Sequence, residues 1–175
     1  MKDRKLLNSE LGRISADEYA SSGASGRVIV LDNVRSAHNV GSAFRTGDAF
    51  HADSVILCGI CATPPSAELH KTALGAEMCV PWKHYHNTLD AVASLREAGY
   101  TIVCVEQTEK SVSLERFQPE EGAKYAFVFG NEVAGVDQAV VDQCDFSLEI
   151  PQYGTKHSLN VSVSVGIVLW QAALI

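Results

Sequence analysis

The sequence predicts an α/β domain built on an open, mostly parallel sheet flanked by helices. Continuous apolar runs, such as Arg27–Leu31, Ser54–Cys58 and Tyr125–Phe129, have the composition of strands buried on both faces. Segments with helical spacing or capping residues separate them, and the alternation of the two element types is that of a parallel sheet with crossover helices. A chain of 175 residues with 46% hydrophobic and 20% charged residues is long enough, and apolar enough, to bury one full core.

Taken in order, residues 1–26 read as an N-terminal helical extension and linker, and residues 27–175 as the domain proper. Ser15-Ala16-Asp17-Glu18 is a capping-box pattern that starts a short helix. Ser21–Gly26 is a flexible link. The strand Arg27–Leu31 leads into a loop, Asp32–Ser36, and then a helix over Asn39–Ala49. Ser54–Cys58 is the second strand, Pro64-Pro65 a turn, Glu68–Leu74 a short helix and Met78–Val80 a short strand. Thr88–Ala98 is a helix stopped by Gly99. Tyr100–Val105 and Tyr125–Phe129 are further buried strands, followed by a helix over Asp137–Gln143 and a strand over Phe146–Ile150. The last stretch is ambiguous: Val161 to Val165 alternates as a strand does, whereas Leu159, Val163, Ile167 and Trp170 share a helical face. The length of the run favours a buried helix.

Composition excludes some functions. A net charge of −7 argues against a general nucleic-acid binder. Five cysteines, an odd number, read as reduced thiols of a cytoplasmic protein. The N-terminus carries no apolar signal core, and the C-terminal run is too short and serine-rich to span a membrane. Gly130 to Gly135 has the glycine spacing of a phosphate-binding loop, but Val136-Asp137 stands where Lys-Ser/Thr is required. No G-x-G-x-x-G follows the first strand. Cys58-Gly59-Ile60-Cys61 lacks a second pair and His84-Tyr85-His86 lacks a third ligand, so no metal site is expected.

Three loops remain, each following an apolar strand: Asp32–Arg45, Gly130–Gly135 and Pro151–Asn160. Ligands of parallel sheets sit beyond the carboxyl ends of strands, so all three can meet on one edge. The last of them, a turn leading into an apolar segment, is expected to carry polar groups inward. Together the loops supply Asn39, Arg45, Glu132, Lys156, Ser158 and Asn160. Singly each has a plainer reading, Arg45 as the partner of a surface carboxylate and Asn39 as a helix cap. Their convergence points to a site.

The residues also carry a resemblance. Asn39-x-Gly41-x-x-x-Arg45, Phe129-Gly130-Asn131-Glu132-x-x-Gly135, and Ile150-Pro151-x-x-Gly154-x-x-x-Ser158-Leu159-Asn160-Val161-Ser162-Val163 are similar, in order and spacing, to the three motifs of the SpoU/TrmH class of SPOUT RNA 2'-O-ribose methyltransferases. The resemblance covers about residues 27–175. It implies a homodimer, a C-terminal trefoil knot that no periodicity shows, a helical C-terminal segment, and S-adenosylmethionine bound in the knot. It further implies methyl transfer to a ribose 2'-hydroxyl of tRNA or rRNA. By that resemblance Gly130, Ile150 and Leu159 contact the cofactor, and Glu106 and Gln107 line its adenine side. Arg45 corresponds to the family's catalytic arginine. A guanidinium stays protonated in proteins, so Arg45 is expected to hold an RNA phosphate and stabilise the developing alkoxide. Asn39, Glu132, Ser158 and Asn160 orient it and the ribose. Arg35, Arg45, Lys71, Lys156 and His157 form a local positive groove, while Glu109, Glu115, Glu120 and Glu121 lie in a separate stretch. The short N-terminal extension favours a tRNA stem-loop over a deep rRNA site. The competing readings are a non-catalytic RNA- or cofactor-binding protein with the same fold, and a protein acting on another nucleotide.

Overall fold

The computed structural model describes residues 3–174. Seven strands are found: β1 (Arg27–Asp32), β2 (Ser54–Cys58), β3 (Trp82–Tyr85), β4 (Thr101–Val105), β5 (Val112–Ser113), β6 (Tyr125–Phe129) and β7 (Phe146–Glu149). They form one sheet in the order β3-β2-β1-β6-β4-β7-β5, and every neighbouring pair is parallel. Six helices accompany it: α1 (Ala16–Ser21), α2 (Ala37–Ala49), α3 (Ala67–Ala73), α4 (Thr88–Glu97), α5 (Gln138–Val141) and α6 (Val161–Ala172).

The unbroken apolar strands are explained by two cores. Side chains alternate across a strand. Ile29, Leu31, Val55, Leu57, Phe127 and Phe129 therefore pack on one face with Val40 and Phe44 of α2, Leu69 of α3 and Val165 and Leu169 of α6. Val28, Val30, Ile56, Ala126 and Val128 pack on the other with Ala91, Val92 and Leu95 of α4 and Val140 of α5.

The C-terminal ambiguity resolves as a helix. Val161, Val165, Val168, Leu169 and Ala172 are buried at helical spacing, so the serine alternation is incidental. One expected strand fails and one strand is missed. Met78–Val80 is no strand: Ala76–Met78 is a 3-10 turn, Met78 is exposed, and pairing begins only after Pro81, whose carbonyl accepts from Val55 N–H at 2.9 Å. Strand β5, two residues long, went unread because so short a segment carries no period. Helix α2 starts two residues before Asn39 because Ser36 is its cap, accepting from Asn39 N–H at 3.2 Å.

α1 is capped by Ser15 as its sequence requires. It is pinned by Tyr19, whose hydroxyl donates to Ala52 O at 2.7 Å and whose ring stacks on His51 with centroids 4.3 Å apart. α2 and α3 approach closely at Gly41, where a Cβ would strike Leu69 O and Thr72 Oγ1. Gly41→Ala should therefore lower unfolding free energy by ~1–3 kcal/mol, read from a reduced urea midpoint. An unchanged midpoint would show that the helices do not need this contact.

Candidate active site

The parallel sheet aims the carboxyl ends of all its strands at one edge. Beyond three adjacent ones, β6, β4 and β7, lies a cavity of ≈ 320 Å³. Its floor is Phe129, Val105 and Leu148, the last or near-last residues of those strands. The wall is made by Glu106 and Gln107, the 130–135 loop, Ile150 and Gln152, and His157 to Leu159. Val161 and Ser164 of α6 complete it.

The 130–135 loop is a tightly closed ring. Asn131 and Gly135 exchange two N–H···O bonds of 3.1 Å, and Asn131 Oδ1 accepts from Val133 N–H and Ala134 N–H at 3.0 and 2.9 Å. Gly130 is required because a Cβ there would overlap the Gly135–Val136 backbone. Gly135, at φ +70°, lies against the Glu106 carboxylate. That carboxylate accepts from Gln107 N–H at 2.8 Å and Val136 N–H at 3.3 Å, and Gln107 Nε2 donates to His157 O at 2.8 Å. The cavity is thus closed around by bonds between its own walls. Apolar strand ends below a rim of amides and the carboxylates of Glu106, Glu132 and Glu149 suit a ligand with a flat ring and hydroxyl or amino groups.

Glu132 organises the mouth. Asn39 Nδ2 donates to Glu132 Oε1 at 2.8 Å, and Asn160 Nδ2 donates to Asn39 Oδ1 at 3.2 Å. Arg35 N–H donates to Glu132 Oε2 at 3.3 Å. Asn160 is also the cap of α6, its Oδ1 accepting from Ser162 N–H at 2.9 Å. One relay of side chains therefore binds the three loops. Partial burial would raise the Glu132 carboxyl, but hydrogen bonds from Asn39, its own backbone, Arg35 and Ser36 outweigh it and hold the group below the usual carboxylate range. It is a fixed anion at neutral pH.

The other expected residues divide. Gly130, Ile150, Leu159, Glu106, Gln107, Ser158 and His157 line the cavity. Asn39, Asn160 and Arg35 reach it through Glu132. Arg45 stands exposed further along α2, and its guanidinium makes no hydrogen bond or ion pair among the described residues. Lys156 is exposed in the third loop. The polar cluster of that loop does not turn inward as expected: residues 152–160 are all exposed, because nothing apolar covers them. Asn39 is not the cap of α2, a role taken by Ser36. Cys58 and Cys61 are buried, and burial pushes their thiols up to about 12 and about 11, which keeps them protonated and unreactive at neutral pH.

Sequence reasoning missed two residues that shape the site. Asn131, which the sequence offered only as a motif position without a role, folds the ring loop. Asp32, at the end of β1, is buried with 1% exposure. It accepts from Thr88 Oγ1 at 2.5 Å, Asn33 Nδ2 at 2.9 Å and Asp137 N–H at 3.0 Å. An acidic residue ending an apolar strand was the cue.

A family model described as the SpoU rRNA Methylase family matches residues 26–170. The chain is 36% identical over 148 residues to a 23S rRNA (guanosine-2'-O-)-methyltransferase RlmB of Nitrosomonas europaea, covering 82% of this chain and 54% of that protein. It is 31% identical over 172 residues to the RlmB of Vibrio vulnificus, covering 98% and 67%. The chain thus spans about half to two thirds of the length of these relatives. Among solved structures, an AdoMet-bound rRNA methyltransferase from Sinorhizobium meliloti superposes with a TM-score of 0.79 at 29% identity, over 86% of this chain and 56% of that one. The A. aeolicus TrmH/SpoU tRNA modifying enzyme does so with a TM-score of 0.79 at 25% identity, over 90% and 79%.

Glu132 titrates low because Asn39 helps hold it, so its contribution to stability is present above the unfolded carboxyl value, ~4.3, and is lost as pH falls through the folded value. Asn39→Ala should raise the Glu132 pKa, as read by carboxyl-carbon NMR, and should narrow its stability gap to the native protein as pH is lowered. A Glu132 titration identical in the two proteins would mean that the bond does not form in solution.

Proposed function

We infer the function from one premise: the chain belongs to the SpoU rRNA methylase family. We propose that it transfers a methyl group from S-adenosylmethionine to a ribose 2'-hydroxyl of rRNA or tRNA. The observation that carries this is the adjacency of a cofactor-sized cavity and the Glu132–Asn39–Asn160 relay at its mouth. The relatives bear both substrate names, 23S rRNA and tRNA, and so give the tRNA preference no support.

The residues fit the cofactor. Leu148, Ile150 and Leu159 offer apolar contact, Gly130 leaves backbone accessible at the cavity wall, and Glu106 and Gln107 would offer hydrogen-bonding groups to the adenosine. S-adenosylmethionine, when bound, supplies a methyl group on a positively charged sulfur. The chain's own task is alignment and charge. Transfer between two held reactants gains most from their placement in line. The relay fixes the side of the cavity where the ribose enters, and Ser158 lies on the same wall. Arg45, cationic and without a partner among the described residues, binds the phosphate next to the ribose and offsets the negative charge that grows on the 2'-oxygen. In this reading a phosphate oxygen held by Arg45 takes the hydroxyl proton, since a guanidinium cannot. Arg35, Lys156 and His157 add positive or hydrogen-bonding groups along the RNA path. The mechanism needs no metal.

Three further features belong to the same reading. The trefoil knot is supported by the chain path. β7 enters the sheet between β4 and β5, both laid down before β6, and α6 then returns beside β1 and β6. Gln171 Nε2 there donates to Phe117 O, in the crossover from β5 to β6, at 2.9 Å. A homodimer is supported by α6, where Val163, Ile167 and Trp170 are exposed three or four residues apart, with Leu174 just beyond them. A cytoplasmic location is supported by five cysteines that are all free thiols.

Labelled S-adenosylmethionine should mark one RNA in total tRNA or total rRNA. Arg45→Ala should lower the rate by about 10²–10³-fold, the scale of losing one charge-stabilising group, with cofactor affinity nearly unchanged. No label in either pool with intact cofactor binding would leave a binding-only protein. Ile167→Asp with Trp170→Asp should convert a dimer to a monomer in sedimentation. A native protein that sediments as a monomer would remove the dimer from this reading.

A further inference from the structure

A second cavity, of ≈ 240 Å³, lies on the far side of the 130–135 loop from the first, sharing Asn131, Ala134 and Gly135 as a common wall. Its floor is rigid and already satisfied: Asp32 holds three donors, and Asn33 Oδ1 accepts from Ile60 N–H at 3.2 Å. Its open groups are at the rim. The Arg35 guanidinium has no partner among the described residues, although its backbone N–H is tied to Glu132 and so to the relay. Asp137 uses one oxygen to cap α5, accepting from Ala139 N–H at 2.9 Å, and its remaining acceptor sites have no partner among the described residues. Ile60 offers an exposed apolar surface at the same rim.

We propose that this second cavity receives the base of the nucleotide being methylated and selects guanine. The inference rests on the RNA methyltransferase reading. A 2'-hydroxyl presented to the relay carries its base to one side, and proteins that read RNA sequence do so on unstacked bases, splayed out and hydrogen-bonded on their Watson–Crick and Hoogsteen edges. The neighbouring cavity is the one tied to the relay through Arg35. Its volume lies below the ~300–1,000 Å³ of ordinary ligand pockets, which suits one ring system. The rim chemistry then chooses the base. Guanine alone presents two adjacent donors, N1–H and the 2-amino group, to one carboxylate, and two adjacent acceptors, O6 and N7, to one guanidinium. Asp137 and Arg35 match these two edges, and Ile60 covers a ring face. Adenine has no N1–H, and neither pyrimidine has both edges.

The test begins with digestion of the labelled RNA from the native protein. A methylated guanosine is expected. A methylated adenosine, cytidine or uridine overturns the proposal while leaving the methyltransferase reading intact, whereas an absence of label with every RNA ends both. Asp137→Asn then keeps a residue able to cap α5 and removes the carboxylate. On a synthetic RNA carrying guanosine at the target, kcat/KM should fall on the order of tenfold or more. On the same RNA with inosine, which lacks the 2-amino group, the native protein should already be slower and the variant should lose much less. Arg35→Gln should weaken guanosine and inosine substrates alike. S-adenosylmethionine affinity should be unchanged in both variants. Equal losses for Asp137→Asn on guanosine and inosine would overturn the assignment, because a merely structural role would not sense the amino group.

Discussion

All seven strands run the same way, and that constraint decides where chemistry can occur. Parallel strands bring every following loop to one edge, so residues far apart in the chain become neighbours without any long-range recognition between them. Arg35, Asn39, Glu132 and Asn160 meet because β1, β6 and β7 end together there. The cost of the arrangement is a set of strand ends with polar groups to satisfy beside two dry cores. The structure meets it with side chains that are both structural and available: Asn160 caps α6 while bonding Asn39, and Asp32 fastens α4 and α5 to the end of β1.

Two cavities share one loop, and this is the economy of the site. The ring from Gly130 to Gly135 is stiffened by Asn131 from within and by Glu106 from below. A wall of this kind can separate two ligands while keeping their distance fixed. Alignment is the main requirement of transfer between two bound reactants. A loop held only by its ends would lose that advantage. Arg45 contrasts with this order. It is placed by a helix backbone and makes no hydrogen bond or ion pair among the described residues, as the proposed phosphate contact requires.

Much of the fold was legible in the residues. The runs 27–31, 54–58 and 125–129 read as strands buried on both faces, and Ser15 marks a helix start by chemistry that acts over three residues. The three loops were also visible, because turn residues after apolar runs are a local signal. What failed was what depends on neighbours. Met78–Val80 looked like a strand, but pairing with β2 begins only after Pro81. β5 exists because β7 offers it an edge, not because Val112-Ser113 has any preference of its own. The polar loop 152–160 was expected to turn inward, and it stays exposed because burial requires a cover that no local pattern specifies.

The sequence by itself determined the α/β class, the position of the helices and the identity of the residues at the strand ends, since propensity, capping and alternation act within a few residues. The tertiary structure decided the rest. It set the strand order, buried one face of α6 against α2, and turned Glu132 from a surface carboxylate into the anion that joins three loops. It also placed Arg35 and Asp137 on one cavity, although a hundred residues separate them. The physical reason is the range of the forces involved. Backbone preference is local, whereas hydrogen bonds and packing between distant segments exist only once the sheet has brought them within a few ångströms.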